Sequence, residues 1–228
     1  MVISVIPLAI FASPSSNSLN LFPPPPESNP YGVSYNEHVK NFWKWILAIP
    51  KTDNPFIGDD TTGEKCAIGQ SNSSSKVFYL APNEGGENKR TCKVPADKGL
   101  LIPVMHVEWS IFESPESLPM DLVRLAKNDQ DRTALDKLYL KIDDKEYFGN
   151  VLEKYRTRTE PFQTTWPNNP IFGNVGGGNT TTVGDGWYIL TEPPAKGNHT
   201  IAFSSLLKPK ADGTGAYATN ITYTIVAE

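Results

Sequence analysis

At 228 residues and 25.1 kDa the chain is long enough for one domain with a sizeable core. Only 20% of residues are charged, and 20 prolines with 17 glycines make up about a sixth of the sequence, which excludes coiled coils and helical bundles. A formal net charge of −4 without a basic run longer than two residues excludes a nucleic-acid-binding face, and a mean hydropathy of −0.36 without an apolar run near 20 residues excludes a membrane-spanning helix.

Ahead of the first charged residue, Glu27, the run Val2 to Ala12 is apolar yet too short to span a bilayer, and Ser13-Pro14-Ser15-Ser16 follows it. It reads as the hydrophobic region and cleavage zone of a signal peptide without a basic start, a buried N-terminal strand being the alternative. Residues 13 to 30 form a low-complexity tether in which Pro23 to Pro26 favour polyproline II. Residues 1–30 are expected to be leader and tether, and 31–228 a single β-sandwich domain. Ser34 with Glu37 marks a capping box, and Val39, Phe42, Trp43, Ile46 and Leu47 recur at helical spacing until Pro50. The pattern predicts a helix over about 35–48.

After an irregular, oxygen-rich stretch from Thr52 to Glu64, strand signals dominate. Val77 to Ala81 and Thr91 to Val94 flank Gly85-Gly86 and suggest a hairpin. Leu100 to Val107 is apolar on both faces, as a central strand is, with a bulge expected at Pro103. Residues 119 to 137 are the second helix candidate. Leu138 to Ile142 and Asn150 to Thr157 read as strands around Asp143-Asp144, and Phe162 to Trp166, Trp187 to Thr191, His199 to Ser204 and Tyr217 to Val226 complete the set. In the last, Tyr217, Ile221, Tyr223 and Ile225 alternate with polar residues, which puts Asn220 on the wet face. The expected fold is mainly β: an antiparallel β-sandwich, jelly-roll or immunoglobulin-like, with two α-helices.

The two cysteines, Cys66 and Cys92, cannot build a zinc tetrahedron and in an exported chain read as a disulfide. Asn72, Asn179, Asn198 and Asn220 each begin an N-glycosylation sequon.

The residues Trp43-x-Trp45, Ile49-Pro50, Asn54-Pro55, Thr62-Gly63, Cys66-x-x-Gly69-Gln70, Cys92-x-Val94-Pro95 and Gly99 to Pro103 occur in this order. Asp185-Gly186-Trp187-Tyr188 and Pro194-x-Lys196-Gly197-x-His199-Thr200-Ile201 follow them. In these segments the chain resembles a group of secreted archaeal and bacterial proteins with no established activity, over residues 31 to 226. The resemblance implies export and a single domain and carries no chemistry with it.

Familiar catalytic signatures are missing: there is no G-x-S-x-G, no H-E-x-x-H and no phosphate-binding loop, and Gly176-Gly177-Gly178-Asn179 reads as a surface loop. Three constellations remain. His106-x-Glu108 places an imidazole and a carboxylate on one face of a strand, an arrangement suited to base and orienter or to two metal ligands. Asp53, Asp59, Asp60 and Glu64 gather hard oxygens of the kind Ca²⁺ takes, without EF-hand spacing. Trp45, Trp109 and Trp187 are candidates for stacking on a glycan.

Two functions fit. The first is a non-catalytic module, secreted or in the cell envelope, that binds a protein partner or glycan or contributes to surface structure, with no cofactor beyond a calcium ion. The second is a secreted hydrolase, metal-dependent in one form, using Glu108 with His106 or the Asp59/Asp60 loop.

Overall fold

The computed structural model describes residues 19–25, 27–57, 60, 62–70, 75–173 and 175–228. The leader run and Asp59 and Asn72 lie outside them.

Helix α1 (Tyr35–Leu47) starts where the capping signal stands, with the Glu37 amide donating to Ser34 Oγ at 3.3 Å. Its buried face is wider than the apolar stripe and takes in His38 and Trp45. Buried Asn54 closes its far end, donating to the carbonyls of Ile46 and Ile49 and accepting the Phe56 amide at 2.9 Å. That turn delivers the Phe56 ring to the site described below.

The strands are β1 (Val77–Tyr79), β2 (Gly86–Val94), β3 (Gly99–Ser110), β4 (Tyr139–Ile142), β5 (Lys145–Phe148), β6 (Arg156–Arg158), β7 (Phe162–Trp166), β8 (Gly178–Leu190), β9 (Gly197–Leu207) and β10 (Tyr217–Ala227). Two further α-helices, α2 (Pro119–Gln130) and the single turn α3 (Gly149–Leu152), complete the α-helices among the described residues, beside three single 3-10 turns. One sheet runs β1-β3-β8-β6 with β7 also on β8, and the other runs β2-β10-β9-β4-β5. A mainly β, two-sheet architecture is thus as expected, but the sheets are mixed, because β1 lies parallel to β3 and β2 parallel to β10.

The hairpin across Gly85-Gly86 does not form. All three residues of β1 are buried, as a strand covered on both faces requires, whereas β2 alternates exposed and buried residues and suits a half-solvated sheet. Asn83 anchors the crossing between them: it accepts from the Tyr217 hydroxyl, the Thr219 hydroxyl and the Gly85 amide. The bulge does fall at Pro103, where the β3–β8 register shifts before Met105.

Other expected elements are redrawn by local geometry. The strand after Asp143-Asp144 is β5, and residues 149–152 are helical, starting at Gly149, where a Cβ would stand 1.9 Å from the Leu135 carbonyl oxygen. Helix α2 ends at Gln130 because the following chain bridges Thr133 to Leu207 and ties Ala134 to Leu206. Residues 19–22 are packed rather than a free tether: Leu19 is buried, Leu21 bridges Thr191, and the Phe22 amide donates to Leu190.

Alternation along β8 distributes the cover. Val183 meets Leu122 and Ala126 of α2, while a side chain on Gly184 would point at Trp43 of α1. The two helices therefore cover opposite faces of the first sheet beside the C-terminal half of β3. Among the described residues no helix is long and apolar enough to cross a membrane.

Candidate functional site

A cavity of about 230 Å³ lies at that end of β3. Aromatic and aliphatic side chains form most of its wall, among them Trp43, Phe56, Phe172, Leu207 and Tyr217, and its ionisable groups are His106, Glu108, Glu113 and Asp129.

Glu108 projects from β3 and both its carboxyl oxygens are buried, with no N–H or O–H of the described residues reaching them. The carboxyl of Glu113 lines the same cavity beside it, and the two groups act on each other electrostatically. Glu113 arrives through the turn that ends the strand. Its amide donates to the Ser110 carbonyl and hydroxyl at 3.2 and 3.3 Å, and Glu113 Oε2 accepts from the Ser110 amide at 3.1 Å and the Ser110 hydroxyl at 2.8 Å. This is the reciprocal Ser-x-x-Glu pairing of a helix capping box, used in a turn.

Burial raises the Glu108 carboxyl well above the usual 4.5, and the neighbouring Glu113 charge and hydrogen bond raise it further. Burial also raises Glu113, but bonds from Glu108 and from the Ser110 hydroxyl and amide oppose the rise. Ser110 donates twice to Glu113 and no donor reaches Glu108, so the surroundings favour the charge on Glu113 and a shared proton on Glu108.

The imidazole and carboxylate of His106-x-Glu108 do line one cavity, but they do not pair. His106 packs its ring against Trp43, Phe56 and Tyr217, its Nδ1 is buried without a partner, and burial holds it down to about 3. A group so rarely protonated is a wall of the site rather than its base. Asp129 at the cavity rim accepts from Trp109 Nε1 at 2.9 Å and from Arg132 at 2.9 Å, with Lys210 at 3.8 Å. Glu113 was missed by sequence reading; Ser110-x-x-Glu113 is the signal that marks it.

The other candidates do not converge here. Trp45 is buried with its Nε1 donating to Ile68 O, and Trp187 is buried with its Nε1 donating to Glu153 O and Arg156 over its ring. Neither offers a free face for a sugar, and only Trp109 reaches the cavity. Of the acidic loop, Asp53 and Glu64 are exposed while Asp60 turns inward, accepting the Gly63 and Lys65 amides. Among the described residues no three His, Cys, Asp or Glu side chains form a metal-sized group. Asp60 Oδ1 thus serves its own turn, and Asp59, the fourth residue of the calcium reading, lies outside the described residues.

Cys66 and Cys92 form a disulfide. Asn179, Asn198 and Asn220 are exposed, as the alternation along β10 requires of Asn220. A second cavity, of about 420 Å³, lies by Ser34, Asn36, Arg156 and Arg158, and there Arg156 is committed to Asp185 and Asp131. Comparison with known proteins finds no matching family model and no matching curated protein.

Proposed function

We propose that the chain is a hydrolase of carbonyl compounds, acting outside the cytoplasm, with Glu108 and Glu113 as its catalytic groups. The observation behind this reading is that two carboxyl groups, the oxygens of Glu108 withdrawn from water, line one cavity. Burying a carboxyl pair is costly, and neither oxygen of Glu108 serves a structural bond.

In this reading the Glu113 carboxylate takes a proton from a water molecule as its oxygen attacks the carbonyl carbon, and Glu108 gives its proton to the carbonyl oxygen. The resulting diol then returns a proton to Glu108 while Glu113 passes its own to the leaving nitrogen or oxygen. One water is consumed, one bond is cleaved, and both carboxyls end as they began. Export is supported by the Cys66–Cys92 disulfide, since such bonds persist in oxidising compartments.

The test is a pH profile on amide, ester and glycoside substrates. We expect bell-shaped hydrolysis of the carbonyl substrates, both limbs above the ordinary glutamate value of 4.5, abolished by Glu108→Gln and by Glu113→Gln. Binding of a glycan or protein with no Glu108-dependent turnover would return the chain to the non-catalytic modules.

A further inference from the structure

We infer that the substrate is an extended peptide, added as a strand to the open edge of β3 at His106 and Glu108, with an apolar side chain in the cavity. The chemistry of cleavage rests on the dyad proposed above; the mode of binding does not.

The edge follows from the register. Ile111 donates to Thr181 across the β3–β8 ladder, so the backbone groups of Trp109 and Val107, in step with it, also face β8. Those of the intervening residues point away. Gly184, opposite Glu108, agrees: its amide and carbonyl bond Thr159 on its far side. Ser110 spends its outward amide and carbonyl on the Glu113 turn. Strand β1 covers β3 only at Gly99–Leu101, so among the described residues nothing pairs with the outward N–H and C=O of His106 and Glu108. Val107, Glu108 and Trp109 are half-buried while His106 is buried, so the segment is reached from its Glu108 end.

An open edge with two donors and two acceptors is a template for one more strand. Here it runs directly beside the two carboxyls, so a peptide bonded to it brings its own carbonyl groups to the dyad. The cavity selects what hangs from that peptide. Its walls are largely apolar, its Glu108 and Glu113 carboxyls are acidic, and Asp129 is matched by Arg132 and Lys210. Acidic side chains are repelled and large apolar ones fit. A glycan finds little to hold, because its hydroxyls need polar partners and the rings of Trp45 and Trp187 are covered.

Two measurements test this. A mass-spectrometric cleavage map of a reduced, carboxymethylated protein should show cuts next to large apolar residues. Short apolar peptides, unmodified or N-methylated at one position, should be titrated against Glu108→Gln. Methylation at alternate positions should weaken binding about threefold to tenfold per lost edge bond, with little effect between them. Equal losses at every position, or none, would overturn strand addition. Glu108-dependent hydrolysis of esters without peptide binding would overturn it and leave the dyad standing. Period-two binding with no cleavage of any substrate would support the edge and remove the dyad.

Discussion

The indole of Trp43 occupies the space that a side chain on Gly184 would need: a Cβ there would stand 2.3 Å from Trp43 Nε1. The same nitrogen donates to the Tyr188 hydroxyl at 2.9 Å, and the indole lies 5.7 Å from the His106 ring. One wall of the cavity therefore depends on the absence of a side chain at the residue directly opposite Glu108 on the neighbouring strand.

Gly184→Ala should displace that indole. Overpacking of this kind costs about 1–3 kcal/mol, so the urea midpoint should fall, with a change in tryptophan fluorescence and a loss of turnover. An unchanged midpoint and spectrum would show that the indole does not lie against β8.

Ser110→Ala removes the 2.8 Å bond from the hydroxyl to Glu113 and leaves the one from the amide. The Glu113 carboxylate, with one donor fewer, should titrate higher, and the acidic limb of the pH profile should move toward neutral pH. Ser110→Thr, which keeps the hydroxyl, should restore the limb. A limb that stays in place in both variants would mean that Glu113 does not set it.

Glu108 titrates higher in the folded chain than in the unfolded one, as does Glu113. A raised carboxyl contributes its stability fully below the unfolded value of about 4.5 and loses it as pH rises through the folded value. The wild type should thus weaken toward alkaline pH. Glu108→Gln should flatten that fall and gain about 1–3 kcal/mol on the alkaline side, read from denaturant midpoints across pH. Parallel curves for the two proteins would contradict the buried, protonated state of Glu108.

His199 carries a second pH signature. Burial pushes its imidazole down, but Asp143 at 2.8 Å and the Ala195 carbonyl at 2.8 Å outweigh this and raise it above 6.5. Asp143 also accepts the Thr200 amide, so the pair pins the β4–β5 turn to β9. The contribution is present below pH 6.5 and lost as pH rises through the folded value. His199→Gln should lower the melting temperature in acid and little in mild alkali; an equal drop at both would show a neutral role.

Cys66 and Cys92 close a loop of sequence separation 26, which in the chain-entropy account stabilises by about 3–4 kcal/mol. The double Cys→Ser variant should lose that amount in a urea melt. Peptide mapping without reductant should recover the linked pair, and two alkylatable thiols in the folded protein would overturn the assignment.

What the sequence determined by itself is what nearest neighbours along the chain decide. Ser34 and Glu37 set the start of α1, the alternation in β7, β9 and β10 set their inward faces, and Pro103 placed the bulge. Pairing was not legible, because β2 finds its neighbour in β10, and nothing local in Glu87 names Asn220 as its partner. The same limit governs the site. Residues two apart on a strand share a face, which put His106 and Glu108 on one cavity wall, but the His106 ring turned to Trp43, Phe56 and Tyr217 rather than to the carboxyl. The Ser110-x-x-Glu113 turn brings the second carboxyl closer, and that much is local. That both carboxyls lie buried, with one proton between them, was decided only when α1, α2 and the end of the second sheet closed over β3. Burial is set by the segments that cover a residue, and those come from elsewhere in the chain.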